Sequence, residues 1–210
     1  MNPASLHYHY PNQMGRILLL SGDEILGRPG MSAVLNSIPG GEQFVENYPK
    51  ESLDLEFPFE LVSGLQLGLE RIYGPHGGRG ISLRIGRACF QQGLREFGPL
   101  FGLTDLAFRL LPLKTKLKVG ANAFADIFNK HSDQRVRIEE DERSIFWIIE
   151  RCPVCWQRHA DGPSCHLAVG LLQEALYWAS GGKIFQVEET QCCASGDSQC
   201  VILIEKIPLG

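Results

Sequence analysis

The chain has 210 residues, enough for one domain with its own core, and its 20 basic against 24 acidic side chains give a formal charge of −4. No long Lys/Arg block is present to follow a phosphate backbone, which argues against a nucleic-acid partner. No segment approaches the roughly 18–20 apolar residues of a membrane-spanning helix, and Met1 to Tyr10 lack a basic stretch leading into an apolar core, so a cytoplasmic protein is expected.

Residues 1–13, with His7-Tyr8-His9-Tyr10, read as a flexible arm ahead of a single domain over 14–210. From Gly15 to Pro39 two short helices are expected, broken at Gly27-Arg-Pro-Gly30. Leu61, Leu65, Leu69 and Ile72 recur at steps of four, four and three, the stripe of an amphipathic helix. Gly74-Pro-His-Gly-Gly-Arg-Gly80 then reads as a turn. It is no phosphate loop, because no Gly-Lys-Ser/Thr follows, and no dinucleotide fingerprint, because Leu83 stands where a third glycine belongs.

A further helix should start after Gly86-Arg87, carrying Phe90, Leu94, Phe97 and Phe101 on one side, with a break at Gly98-Pro99. Arg87 could hold a carboxylate, although an arginine in such a place more often caps or lies on the surface. Leu106, Leu110, Leu113 and Leu117 form another stripe, interrupted at Pro112, and Ala121, Phe124 and Phe128 mark the next face. The helical half thus spans about 14–130, and a sheet half about 131–208.

There the period changes to two: Val136 and Ile138 alternate with Arg135 and Arg137, while Ile145-Phe-Trp-Ile-Ile149 is apolar on both faces. A helix is expected from about Pro163 to Ser180, ended by Gly181-Gly182, and a hairpin from Lys183 to Glu189 and from Val201 to Glu205. This order of elements predicts an α+β domain with a small, largely antiparallel sheet and several helices packed on it.

Six of the seven cysteines lie between Cys152 and Cys200. In a reducing compartment an odd, clustered set argues for metal or free thiols over disulfides. Alternation places Phe185, Val187 and Glu189 on the inward face of their strand, so Glu189 is a carboxylate that needs a cation or a hydrogen-bonding partner. The hairpin brings Cys192 near Cys200, and Cys165, at a helix N-terminus that favours its thiolate, closes a tetrahedral set. Three thiolates and a carboxylate saturate zinc and make a structural site. A competing set is Cys152-x-x-Cys155 with Cys165 and His166, and two sites, a redox pair or no metal also remain open; Cys89 and Cys193 read as small buried apolar residues. The ligand-pocket candidates are Phe90, Leu94, Phe97, Trp147 and Phe146; the last two point to opposite sheet faces, and Trp147 is favoured over Phe146.

The motifs Cys152-Pro-Val-Cys-Trp156, Pro163-x-Cys165, Gly170-Leu-Leu172, Val187-Glu-Glu-Thr-x-Cys192, Ala194-x-Gly196-Asp197 and Cys200 resemble the 4-vinyl reductase domain family. Leu26-Gly27, Ala33-Val-Leu-Asn36 and Gly86-Arg87-Ala88 extend the resemblance upstream, so that it covers most of residues 15–208. The family includes hydrocarbon-binding proteins, a bacteriochlorophyll-biosynthesis protein and the sensor domains of aromatic-responsive activators. The resemblance implies a fold related to haem–nitric-oxide sensor and vesicle-tethering domains, an apolar ligand cavity, homodimerisation, and zinc on Cys165, Glu189, Cys192 and Cys200, with Cys152 and Cys155 as extras. It implies a carrier or sensor of an aromatic hydrocarbon or tetrapyrrole; the alternative is a vinyl reductase or accessory protein working with pigment-biosynthesis enzymes and a separate electron donor, since no nicotinamide or flavin fingerprint is present. No ATPase or DNA-binding region accompanies the domain within these residues, so a complete transcriptional activator is not expected.

Overall fold

In the computed structural model the described residues are 7–98 and 106–209. Strand β1 (His9–Pro11) leads directly into helix α1 (Asn12–Asn36), and β2 (Leu55–Pro58) into the long helix α2 (Phe59–Phe97). Two shorter helices follow, α3 (Leu106–Leu110) and α4 (Leu113–His131), on either side of Pro112. Then come β3 (Arg135–Glu140), β4 (Ser144–Arg151), α5 (His166–Ser180), β5 (Val187–Gln191) and β6 (Cys200–Glu205). The four late strands form one sheet in the order β3-β4-β6-β5, antiparallel throughout. The α+β expectation therefore holds.

The N-terminal residues correct the sequence reading. His9–Pro11 is not an arm but a strand paired antiparallel with β2, Tyr10 opposite Phe57. Tyr10 is buried, and its ring meets Phe59 edge-on at 5.2 Å. Two aromatic rings with a place in the core outweigh the entropy of ordering three residues. Residues 1–6 lie outside the described residues, as do Phe101 and the side chain of Leu106.

The two long helices each break once, at Gly27 (φ 72°) and Gly74 (φ 73°), a backbone conformation that only glycine adopts without strain. The break at Gly27 matches expectation. After Gly74 the chain does not turn; it resumes the helix at once, so Pro75 to Gly80 are helical. Pro75 sits in the first turn of the new segment, where its missing N–H costs nothing.

The core lies between the helices and one face of the sheet. Ile145, Trp147 and Ile149 of β4 are all buried, with Trp147 2% exposed. Phe124 and Phe128 of α4 pack against Trp147 with ring centroids at 5.5 and 6.3 Å. Helix α5 packs chiefly on α2. None of the described helices is long and apolar enough to cross a membrane.

Candidate metal centre and apolar cavity

Six buried ligand side chains, drawn from a helix start, two strands and a loop, converge on one point. Cys165 occupies the position just before α5, at the helix end that stabilises a thiolate. Glu189 comes from β5, where Phe185, Val187 and Glu189 are buried and Glu188 is exposed, as strand alternation predicts. Cys192 directly follows β5, and Cys200 opens β6. The loop leaving β4 carries Cys152 and Cys155, both 3% exposed.

Strand geometry alone would send Glu189 and Cys192, three residues apart, to opposite faces. A bulge resolves this. Glu189 pairs with Ile202 while Gln191 pairs with Val201, so the register shifts across Thr190 and Cys192 is re-aimed inward. The turn that follows is held by Asp197, whose carboxylate accepts the Cys192 backbone N–H at 2.8 Å, and by Gly196 at φ 102°.

The thiol sulfurs form a chain of close approaches. Cys152 Sγ lies 3.5 Å from Cys165 Sγ, and Cys155 Sγ lies 3.4 Å from Cys200 Sγ. Cys165 Sγ is 3.8 Å from both Cys192 Sγ and Cys200 Sγ. Two overlapping quartets result, Cys165/Glu189/Cys192/Cys200 and Cys152/Cys155/Cys165/Cys200, each with its ligand atoms within 4.8 Å of one another. Both of the sets read from the sequence thus exist in space, with one change. Cys200, and not His166, completes the Cys152/Cys155 set; half-buried His166 belongs to neither quartet.

The donor set fits a thiophilic, tetrahedral ion. Metal–sulfur bonds of about 2.3 Å put sulfurs roughly 3.8 Å apart along a tetrahedron edge. Glu189 supplies the orphaned atom that such an ion would satisfy. Its Oε2 accepts the Cys165 backbone N–H at 2.7 Å, while its Oε1 is buried without a partner. Burial pushes the Glu189 carboxyl up to about 8, although the Cys165 N–H works in the opposite direction. A bound cation would reverse that burden.

The loop from Cys152 to Gly162 is anchored on three sides. Ala160 N–H donates to Ala194 O at 2.9 Å, tying the loop to the β5–β6 turn. Arg158 Nη2 donates to Glu70 Oε2 of α2 at 2.7 Å. Trp156 meets Tyr8 edge-on at 5.1 Å, and Arg151 lies over the Tyr8 ring at 3.8 Å. The N-terminal strand therefore braces this loop.

Beside the cluster lies an apolar cavity of about 100 Å³. Phe90, Leu94, Phe97 and Trp147 line it as expected; Phe146, half-buried on the other sheet face, does not. Sequence reasoning missed several walls. Tyr10, the loop residues Pro153 and Val154, and Leu167, Ala168 and Leu171 of α5 all face the cavity, as do Phe124 and Phe128. Only the last pair was signalled beforehand, by its place on a helical stripe. The Tyr10 hydroxyl donates to the Gln134 side-chain carbonyl, and this buried pair is a polar feature in the wall. Cys89 also lines the cavity, its thiol pushed up to about 12 by burial. A smaller cavity of about 50 Å³ lies on the far side of Phe90, Phe124, Trp147 and Leu172, which line both. Arg87, at the surface, donates to Gln173 Oε1 of α5 and not into the cavity.

Comparison with curated protein sequences gives no match. Several solved structures share the fold at low identity. An Fe(II) unliganded H-NOX protein from K. algicida superposes with a TM-score of 0.59 at 9% identity, covering 93% of this chain and 95% of that one. An H-NOX protein from S. oneidensis in the Fe(II)NO ligation state gives 0.58 at 13%, covering 92% and 98%. The phenol-responsive sensory domain of the transcription activator PoxR with phenol gives 0.50 at 20%, covering 69% and 72%. The fold is thus that of the H-NOX proteins. Residues 145–206, the segment that contributes all six ligand side chains, match the family model of the 4-vinyl reductase domain, and the chain accordingly carries a domain of that family.

Proposed function

We propose that the protein binds a small aromatic molecule in the cavity between α2, α5 and the sheet, as a carrier or sensor, with zinc as a structural clamp on Cys165, Glu189, Cys192 and Cys200. The observation that carries this reading is the cavity itself, apolar, about 100 Å³ and bearing the Tyr10–Gln134 pair in its wall. An apolar cavity of about 150 Å³ holds one benzene ring, whereas larger organic ligands fill about 300–1,000 Å³. A single ring fits with small side-chain adjustments. A tetrapyrrole needs several times the space, so size favours the monocyclic aromatic over the pigment precursor. Haem would also need an axial ligand, and no histidine is among the described lining residues. The phenol-responsive sensor domain of similar fold supports the same ligand class.

Zinc suits the donor set because three thiolates and one carboxylate fill its tetrahedron and leave no open position. Its role there is mechanical. Cys165 fixes the start of α5, whose Leu167, Ala168 and Leu171 form one wall, and the adjacent loop supplies Pro153 and Val154 to another. A reductase reading would need a hydride or electron donor from a separate partner.

Titration of phenol, toluene and indole into the zinc-loaded protein, followed by calorimetry and tryptophan fluorescence, tests the reading. Saturable one-to-one binding of a monocyclic aromatic is expected. Absence of binding by all such ligands, or product formation from a divinyl tetrapyrrole and a reductant, would overturn it.

A further inference from the structure

A single ion on either quartet leaves two of the six converging side chains idle. With zinc on Cys165, Glu189, Cys192 and Cys200, the thiols of Cys152 and Cys155 would lie 3.5 and 3.4 Å from two coordinated sulfurs, buried and without a role. Cys165 and Cys200 belong to both quartets, are each 0% exposed, and stand 3.8 Å apart, the length of a tetrahedron edge. We propose that the centre is dinuclear: two divalent thiophilic ions, each four-coordinate, with Cys165 and Cys200 as bridging thiolates. Cys152 and Cys155 complete one tetrahedron, and Glu189 and Cys192 the other.

Ligand count and charge both support this arrangement. Two tetrahedra sharing an edge need six ligand residues, which is the number the site supplies. Five thiolates and a carboxylate around one divalent ion would leave four uncompensated negative charges in a buried pocket. Two ions halve that excess, and local donors lower it further. The Cys193 backbone N–H points at Cys200 Sγ at 3.3 Å, the Cys165 N–H at Glu189, and the N-terminus of α5 at the cluster. The orphaned Glu189 Oε1 gains a partner from the second tetrahedron, while the Cys-Pro-Val-Cys loop is drawn onto the first. The inference deepens the metal part of the proposed function and is independent of the cavity's ligand.

The test is metal counting with a probe of metal–metal contact. The protein is purified without chelators from zinc-supplemented medium, then assayed by elemental analysis and native mass spectrometry; a cobalt-substituted sample is examined by electron paramagnetic resonance. Two ions per chain are expected, with the cobalt signal per ion falling as the second site fills, because bridging thiolates couple the spins. Zinc-edge X-ray absorption should add a metal–metal vector of roughly 3 Å, set by two edge-sharing tetrahedra with about 2.3 Å bonds. The double variant Cys152→Ser/Cys155→Ser should hold one ion. Saturation of the wild type at one ion, or two ions without coupling, overturns the dinuclear centre and leaves the structural clamp standing; no metal at all overturns both. Aromatic binding, measured separately, does not bear on the count.

Discussion

Gly86 of α2 and Gly170 of α5 face each other where the two helices cross. A β-carbon on Gly86 would collide with the Leu167 carbonyl oxygen and come within 2.8 Å of the Leu171 nitrogen, and one on Gly170 would strike the backbone of Leu83. The helices touch backbone to backbone, which fixes the height of α5 and so the position of Cys165. Gly170→Ala should therefore destabilise the protein by about 1–3 kcal/mol, the usual range for overpacking a core. Urea denaturation measures it. A loss below about 0.5 kcal/mol, typical of surface changes, would mean the crossing tolerates a methyl group and does not set the site.

Glu189 tests the clamp. Glu189→Ala removes a ligand and leaves the Cys165 N–H without its acceptor, whereas Glu189→Gln keeps the acceptor and loses the charge. Loss of even an outer-shell partner typically weakens metal binding about 10–100-fold, so losing the carboxylate should cost more than about 100-fold. Competition with a chromophoric chelator reads this directly. Gln should lie between Ala and wild type in thermal stability, and equal zinc affinity in all three proteins would remove Glu189 from the ligand set.

How much of this centre was legible beforehand follows from two periodicities. Inward-facing Glu189 came from strand alternation with Phe185 and Val187, and that reading held because β5 is regular up to Glu189. The arrival of Cys192 on the same side depends on the bulge at Thr190, which has no signature in side-chain pattern. The choice between Cys152/Cys155 and Glu189/Cys192 was open because spacing cannot say whether a loop folds back; here the Ala160–Ala194 hydrogen bond folds it. Gly74 to Gly80 read as a turn because five residues of the seven are Gly or Pro. Only Gly74 uses glycine's freedom in φ, while Gly78 serves close packing against the Glu70 backbone within a helix. Tyr10 looked like part of a polar terminus because its partners, Phe57 and Phe59, lie some fifty residues away and local sequence carries no trace of them.

Metal removal should loosen the cavity as well as the cluster. Cys165 and the Cys152–Cys155 loop hold opposite walls, so an ion-free protein loses the constraint on Val154 and Leu167 together. Chelation is expected to lower the melting temperature and to weaken aromatic binding about tenfold or more. Acidification should mimic it, because thiolate and carboxylate ligands must be deprotonated to hold the ion. Aromatic affinity that is unchanged after complete zinc removal would uncouple the two sites.

The Tyr10–Gln134 pair makes a selectivity prediction. A site built to hydrogen-bond a hydroxyl discriminates strongly against an analogue lacking it, because its own polar groups are then left unpaired. Phenol should bind more tightly than toluene, and Gln134→Leu should narrow the gap by about tenfold, close to the roughly 1.4 kcal/mol of one hydrogen bond. Both ligands are compared by calorimetry on both proteins. A preference that persists unchanged in Gln134→Leu would place the hydroxyl elsewhere in the cavity.

Phe124 separates the main cavity from the smaller one behind it, its ring 5.7 Å from Phe90 and 5.5 Å from Trp147. Truncation to alanine removes most of the partition and joins cavities of about 100 and 50 Å³ with the volume of the lost ring added. Phe124→Ala should cost about 3 kcal/mol of stability, at the low end for a phenylalanine because the side chain is only half-buried. In exchange the variant should accept a bicyclic ring such as naphthalene that the wild type binds poorly, while phenol, now loosely held, weakens. Trp147 stays in place in this design, so its fluorescence reports on both ligands. If naphthalene gains nothing while phenol weakens, the two cavities do not communicate and the upper size limit of the ligand is set by Trp147 and Leu172.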